Sequence, residues 1–237
     1  MKYIQKQTPP PSNLNYFLKW VRDKSTRLGL SSGTDQWKHF DQKKRNHKSN
    51  LQNTLIEEQG YICAYCNRRI HKGNPKNDEQ LRIDHLQPKV GTSNPITITF
   101  NYYNLVACCF GDEREINRTS PPRSLHCDAS KKDIVIPQVL FPTNITCEQV
   151  LIYTPVGEIT TSDTSLRDAV ENILNLNCPK LKSARENAIK PYVDFDIQPD
   201  EADEIIRKYL TPNPQNQLAP FCGAIIGYLR QNYNATL

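Results

Sequence analysis

Cys63-Ala64-Tyr65-Cys66, followed by Ile83-Asp84-His85, Asn104, Cys109, Cys127-Asp128 and Lys131, is the stretch on which the reading of this chain turns. Two chemistries interleave in it. Two cysteines separated by two residues grip one edge of a tetrahedral site, the arrangement zinc prefers with four soft or borderline ligands. A second pair is needed, and Cys127 with Cys109 or Cys108 supplies it. A closed four-cysteine shell leaves no position for water, so a zinc ion held this way is structural. The redox alternative for Cys63 and Cys66 calls for a βαβ pattern, which this segment lacks.

Threaded between the cysteines are two acids, a histidine and an asparagine. Phosphodiester hydrolysis needs a base for water, a cation for the charge on phosphate and leaving oxygen, and a group that orients the base. His85 is the base candidate, because an imidazole titrates close to working pH. Asp84 and Asp128 are hard oxygen ligands suited to Mg2+ or Mn2+, which keeps several waters and a substrate phosphate. Asn104 is the candidate for orienting the imidazole, and Lys131, one helical turn after Asp128, for binding the phosphate. On a regular strand Asp84 and His85 point to opposite faces. They converge only at a strand end, which Pro88 permits.

The rest of the chain sets bounds. Its 237 residues suffice for a sizeable core. They are 37% hydrophobic and 23% charged, with both signs mixed, which excludes a disordered chain. The net charge of +5 is compatible with nucleic acid without demanding it. Met1 to Pro11 has no apolar leader, and no apolar run is long enough for a bilayer, so no membrane association and a cytoplasmic location are expected. Among eight cysteines, Cys147, Cys178 and Cys222 stand apart and read as small buried apolar residues.

The periodicity predicts an α+β protein in three parts: an N-terminal helical arm over 1–60, a cysteine-rich core over 61–135 and a mainly helical region over 136–237. After the Pro-rich Thr8 to Pro11, Leu14, Phe17, Leu18 and Val21 share a helix face. Trp37, Phe40, His47, Leu51 and Leu55 predict one helix from Thr34 through Glu58, stopped by Gly60, with Lys38, Lys43, Lys44, Arg45 and Lys48 outside. His39 and His47 belong to that surface. Leu81 to His85 and Ile96 to Phe100 read as strands. In the tail, Ser165 to Leu176 reads as a helix with Ser165 and Asp168 as a capping box. Helical patterns follow from Leu181 to Ile189, from Pro199 and from Phe221 to Leu229.

The Cys63/Cys66 knuckle, Asp84-His85, Asn104 in Tyr-Asn-Leu-Val, Cys109, and Cys127-Asp128 with Lys131 resemble an HNH endonuclease of the ββα-metal type with a zinc brace. The resemblance implies His85 as general base, Asp84 and Asp128 as metal ligands, Asn104 as the orienting residue and, by its spacing from Asn104, Cys109 as the third zinc ligand. Asp128 stands where Asn or His is commoner, and the Cys109–Cys127 interval is long. Leu55 to Cys66, His126-Cys127-Asp128, and Leu174-Asn175-Leu176-Asn177 with Leu181 and Arg185 are similar to the HNH subunit of Septu-type and retron-associated anti-phage systems. That likeness implies a bacterial defence nuclease working with an ABC-type ATPase. DNA is expected over RNA as substrate. The apolar face of Phe221, Ile225, Tyr228 and Leu229 and the Pro-rich arm are the expected docking surfaces.

Two other readings compete. One is a non-catalytic, zinc-stabilised nucleic-acid-binding or adaptor module, against which the intact set of Asp84, His85, Asn104 and Asp128 argues. The other, a zinc deaminase, lacks its His-x-Glu and Pro-Cys-x-x-Cys elements.

Overall fold

The first helices exist to bury aromatic rings. The computed structural model describes residues 1–24, 32–72, 81–90, 95–112 and 125–237. A short 3-10 turn buries Leu14, and helix α1 (Asn15–Lys24), which follows it, buries Phe17 and Trp20. Helix α2 (Gly33–Lys43) is capped by Ser32, whose Oγ accepts the Asp35 amide. It brings Phe40 to 5.5 Å from Phe17 and 5.3 Å from Trp20 between ring centroids. Phe100 closes the cluster edge-on against Trp20.

The single helix expected from Thr34 to Glu58 is two. The backbone leaves helical geometry at Lys44 (φ −125°, ψ 44°), and helix α3 (Arg45–Glu58) restarts beyond it. The break lets α2 face the aromatic cluster while α3 buries Leu51, Leu55 and Ile56. The chain turns at Gly60, as expected.

Strand β1 (Arg82–His85) pairs antiparallel with β2 (Leu105–Cys108), in the register Arg82 with Cys108 and His85 with Leu105. Between them lies helix α4 (Pro95–Thr99), where a strand over Ile96 to Phe100 was expected. The β-branched Ile96-Thr97-Ile98-Thr99 run favours strand locally. Packing against α2 overrides it, and Pro95 suits a first helical turn. Helix α5 (Asp128–Lys131) follows Cys127.

The C-terminal part wraps behind this unit. A small antiparallel hairpin, β3 (Ile152–Tyr153) with β4 (Ile159–Thr160), leads to α6 (Thr164–Asp168), which runs on as a π-helical turn over Ala169–Ile173. The expected capping box of Ser165 and Asp168 is replaced. Asp163 is the cap, accepting the Ser165 amide and hydroxyl, and Asp168 instead takes the Asn172 amide at 2.7 Å. Helix α7 (Pro179–Ile189) and helix α8 (Pro199–Leu210) each start on a proline. Acidic Asp200 and Glu201 open α8, and Arg207 and Lys208 close it, in the sense the helix dipole favours.

Helix α9 (Cys222–Asn232) overturns one expectation. Ile225, Tyr228 and Leu229, read as a docking face, are buried. Ala224 and Tyr228 enter the main core, while Ile225 and Leu229 join Ile62 and Ile206 in a second apolar cluster under α8. A helix that buries both sides has no apolar face left for a partner, and only Phe221 is partly exposed. The main cluster draws on Met1, Leu55, Tyr65, Leu105, Leu140, Leu181 and Tyr228, so all three segments of the chain contribute to it. Cys147, Cys178 and Cys222 are buried free thiols, as expected. The protein is thus mixed α+β, with two-stranded sheets among the described residues. No described helix is long and apolar enough to cross a membrane.

Candidate functional site

Local backbone geometry assembles the cysteines. The Cys63 amide bonds Arg68 O at 2.8 Å and the Asn67 amide bonds Cys63 O at 3.0 Å, which folds residues 63–68 into a tight knuckle. Cys109 follows β2, and its amide points at Cys63 Sγ at 3.3 Å. Cys127 takes a positive φ of 56°, and its amide is fixed by Leu174 O at 2.8 Å. The four Sγ atoms of Cys63, Cys66, Cys109 and Cys127 lie within 4.8 Å of one another, all buried. Cys63 to Cys127 is 3.9 Å and Cys66 to Cys109 is 3.8 Å. A tetrahedron with Zn–S bonds of about 2.3 Å has edges of about 3.8 Å. The cluster therefore fits a metal ion such as zinc, in a closed shell.

Cys108, the alternative to Cys109, lies outside this cluster. Cys108 pairs with Arg82, two residues from Asp84 on β1, so it shares the face of Asp84; burial and the negative charges of Asp128 and Asp84 push its thiol pKa well up. Alternation along the strand thus separates two neighbouring cysteines.

Other residues support the cluster. His126 Nδ1 lies 3.1 Å from Cys127 Sγ, and its Nε2 lies 3.6 Å from Asp112. Asp112 in turn meets Arg68 at 2.8 Å and Lys180 at 3.2 Å. Burial alone would raise the Asp112 pKa, but its bonds to His126 and Arg68 hold it well below the usual carboxylate range. Gly111 (φ 57°) is required here, because a Cβ would stand 2.0 Å from His126 O. The Leu174–Asn177 segment is a strap: Asn175 Nδ2 bonds Leu125 O at 2.6 Å, and buried Arg185 gathers Leu176 O and Gly157 O at 2.7 Å each.

On the other side of β1 is a cleft of about 210 Å³ lined by Arg82, Asp84, His85, Lys89, Asp128 and Lys132 among others. His85 is the last residue of β1, the strand-end position that lets it share a cleft with Asp84. Its ring is fixed on two sides. Nε2 lies 2.9 Å from Thr99 O, and Trp37 meets the ring edge-on at 4.6 Å between centroids. Nδ1 lies 3.5 Å from Lys89 Nζ. Burial, then the Lys89 charge, pushes the imidazole pKa down to about 3, so the ring is neutral at working pH instead of titrating close to it as the sequence alone predicts.

Asp84 is held by three donors. Tyr65 OH bonds Oδ2 at 2.6 Å, the His85 amide bonds Oδ1 at 2.7 Å, and Lys131 Nζ lies 3.3 Å from Oδ1. Tyr65 sits between Cys66 and Cys63, so the cysteine knuckle and the cleft share a side chain. Asp128 directly follows Cys127 and meets Arg82 at 3.4 Å. Burial and then the neighbouring Asp128 charge raise the Asp84 pKa to about 7, with Lys131 opposing. Two mutually repelling carboxylates thus line one small cleft.

Two expected roles are filled differently. Asn104 does not touch the imidazole. Its Oδ1 accepts the Gln87 amide at 2.8 Å, and its Nδ2 donates to Gln87 O at 2.9 Å and Ile98 O at 3.1 Å. It ties the loop after His85 to α4, and through α4 sets the position of Thr99 O. Lys131 does not face a phosphate either. It is fully buried, its ammonium spent on Asp84, His85 O at 3.3 Å and Lys132 O at 3.1 Å. Lys89, Arg82 and Lys132 line the cleft in its place.

Sequence reasoning missed Tyr65, Trp37, Lys89 and His126. Only His126, immediately before Cys127, carried a local signal. No known family model matches this chain, and no curated protein matches it.

Proposed function

We propose that this protein is a metal-dependent endonuclease of the HNH type, hydrolysing phosphodiester bonds in nucleic acid, with β1, β2 and α5 as its ββα core. One juxtaposition carries the reading: a strand-end histidine and two carboxylates line a single basic-edged cleft, next to a four-cysteine cluster that fits zinc. A carbonyl only accepts, so the Thr99 contact places the His85 hydrogen on Nε2 and the lone pair on Nδ1. Nδ1, which faces Lys89 Nζ at 3.5 Å, is then the atom that takes a proton from the attacking water once Lys89 turns to the phosphate. Thr99 O and Trp37 keep the ring from turning, and Thr99 O accepts a shorter bond as the ring gains charge. Asp84 and Asp128 would hold Mg2+ or Mn2+, which supplies charge stabilisation at the phosphate and leaving oxygen. Lys89, Lys132 and Arg82 draw the phosphate in. Tyr65 and Lys131 keep Asp84 in place.

The sequence likeness of residues 55–66, 126–128 and 174–177 to Septu-type and retron-associated subunits supports a further reading. The nuclease is the effector of a bacterial anti-phage system and works with an ABC-type ATPase. DNA is the expected substrate.

The test is cleavage of labelled single- and double-stranded DNA and RNA in Mg2+ and Mn2+. Wild-type protein should cleave, leaving out the added cation should stop it with the cysteine-bound metal retained, and His85→Ala should be inactive with its fold intact. Metal-independent cleavage, or full activity of His85→Ala, would overturn the mechanism. Binding of nucleic acid with no cleavage by wild type under any divalent cation would favour the adaptor reading.

A further inference from the structure

We propose that a second, uncharged pocket beside the cleft takes a nucleobase from an unpaired strand. The inference rests on the nuclease reading only for the identity of the neighbouring phosphate. The pocket has a volume of about 630 Å³ and lies between the loop after β1 and the segment around Phe141–Ile145. None of its lining side chains is charged, whereas the cleft next to it is lined by Arg82, Asp84, Lys89, Asp128 and Lys132. A nucleotide divides in the same way, into an anionic phosphate and a neutral aromatic base with amide-like edges.

The two sites adjoin along the chain. Gln87 lines the neutral pocket, and Pro88 and Lys89 line the charged cleft. The backbone from Gln87 to Lys89 thus runs from one site into the other, as a nucleotide's sugar joins its base to its phosphate. The lining is of the right kind. Tyr103 keeps 40% of its surface exposed although it is aromatic. Its ring is braced edge-on by Tyr102 at 5.3 Å, so its position is set before anything binds. Tyr3 and Phe141 add further rings. Asn101 spends its Oδ1 on the Tyr103 amide at 3.0 Å, and the Gln87 side chain is exposed. Amide side chains of this type bond base edges, and stacked aromatics hold any base by its face.

A base inside a duplex offers neither face nor free edge. The pocket therefore selects an unstacked nucleotide next to the scissile phosphate, in a single strand, a loop or a flipped-out position.

The experiment is equilibrium binding of the full chain, with no divalent cation added so that nothing is cut and the cysteine-bound metal stays in place, to a short fluorescein-labelled single strand and to the matching duplex. Tyr103→Ala should weaken single-strand binding about tenfold or more, the loss of one stacked base. Tyr103→Phe should restore it, and the salt dependence should stay at the wild-type slope because no charge is removed. Duplex binding should be unchanged. Unaltered single-strand binding by Tyr103→Ala, or an equal loss on duplex, would overturn the pocket. The nuclease reading is scored separately by cleavage. Tyr103-dependent binding without cleavage keeps the pocket and removes the nuclease, while cleavage with Tyr103-independent binding does the reverse.

Discussion

His85 Nε2 lies 2.9 Å from the carbonyl oxygen of Thr99, and this single bond decides which nitrogen of the imidazole is left to act. The neutral ring must carry its hydrogen on Nε2, so Nδ1 is the acceptor. Nitrogen-15 spectra at neutral pH should show His85 in the Nε2–H form. His85→Ala should lower cleavage by about 10²–10⁴-fold or to background. It should leave metal content close to wild type, because no cysteine ligand is lost, and lower stability by about 1–3 kcal/mol, because Thr99 O loses its buried partner.

The cysteine cluster makes a prediction that separates two adjacent residues. Purified protein should contain about one zinc per chain, and removing it should unfold the central segment, because metal binding and folding are coupled in such sites. Cys109→Ser should lose zinc and stability, while Cys108→Ser should keep both, since only Cys109 belongs to the cluster. His126→Ala should retain zinc but release it to a chelator about 10–100 times more readily, because the ring contacts Cys127 Sγ. Elemental analysis and chelator-release kinetics measure all three.

Asn104 acts on a loop, and its variant should show it. Asn104→Ala removes three hydrogen bonds to the Gln87 and Ile98 backbone. The expected cost is about 1 kcal/mol of stability, since three part-buried backbone groups lose their partner. Hydrogen exchange should rise around residues 86–89, and cleavage should fall without the complete loss seen for His85→Ala. A variant that lost activity with unchanged exchange in that loop would contradict this account.

Lys131 and Lys132 are neighbours with opposite expected behaviour. Lys131 and Asp84 are a buried pair, with side chains 1% and 5% exposed. Lys131→Met should destabilise by about 3 kcal/mol, because it strands a buried carboxylate. Lys132 is exposed on the rim of the cleft. Lys132→Ala should leave the thermal midpoint unchanged, weaken nucleic-acid binding and reduce the salt slope by about 1. Thermal melts and salt titrations of binding distinguish the two.

How far the sequence could be read follows from where each signal is stored. Cys63, Cys66 and Cys127, and the Asp84-His85 pair, are recognisable because ligand chemistry and short spacing are local. Tyr65, Trp37 and Thr99 were not, because each acts through a contact made by folding: Trp37 comes from α2 and Thr99 O from α4. The same limit explains the misread elements. Ile96 to Thr99 has strand-like side chains but packs as a helix on α2, and the break at Lys44 needs the aromatic cluster on one side and β2 on the other. Lys131 sat at a plausible spacing from Asp128, yet spacing does not say whether a side chain points outward or into the core.

Helix α9 supplies the last prediction. Its apolar residues repeat in the pattern expected of a docking face, but Ile225 is 3% and Leu229 0% exposed. Both pack against Ile62 and Ile206, which links the helix to the turn just before Cys63. An aspartate at either position would bury a charge with no partner. Ile225→Asp and Leu229→Asp should each destabilise by more than about 4 kcal/mol, leaving little soluble protein. The volume-conserving Ile225→Leu should cost less than about 1.5 kcal/mol. Disturbing Ile62 next to the knuckle should also loosen the metal site, so residual soluble Leu229→Asp protein should be low in zinc. Soluble, zinc-replete aspartate variants with a wild-type melting curve would show instead that this face is free to meet a partner.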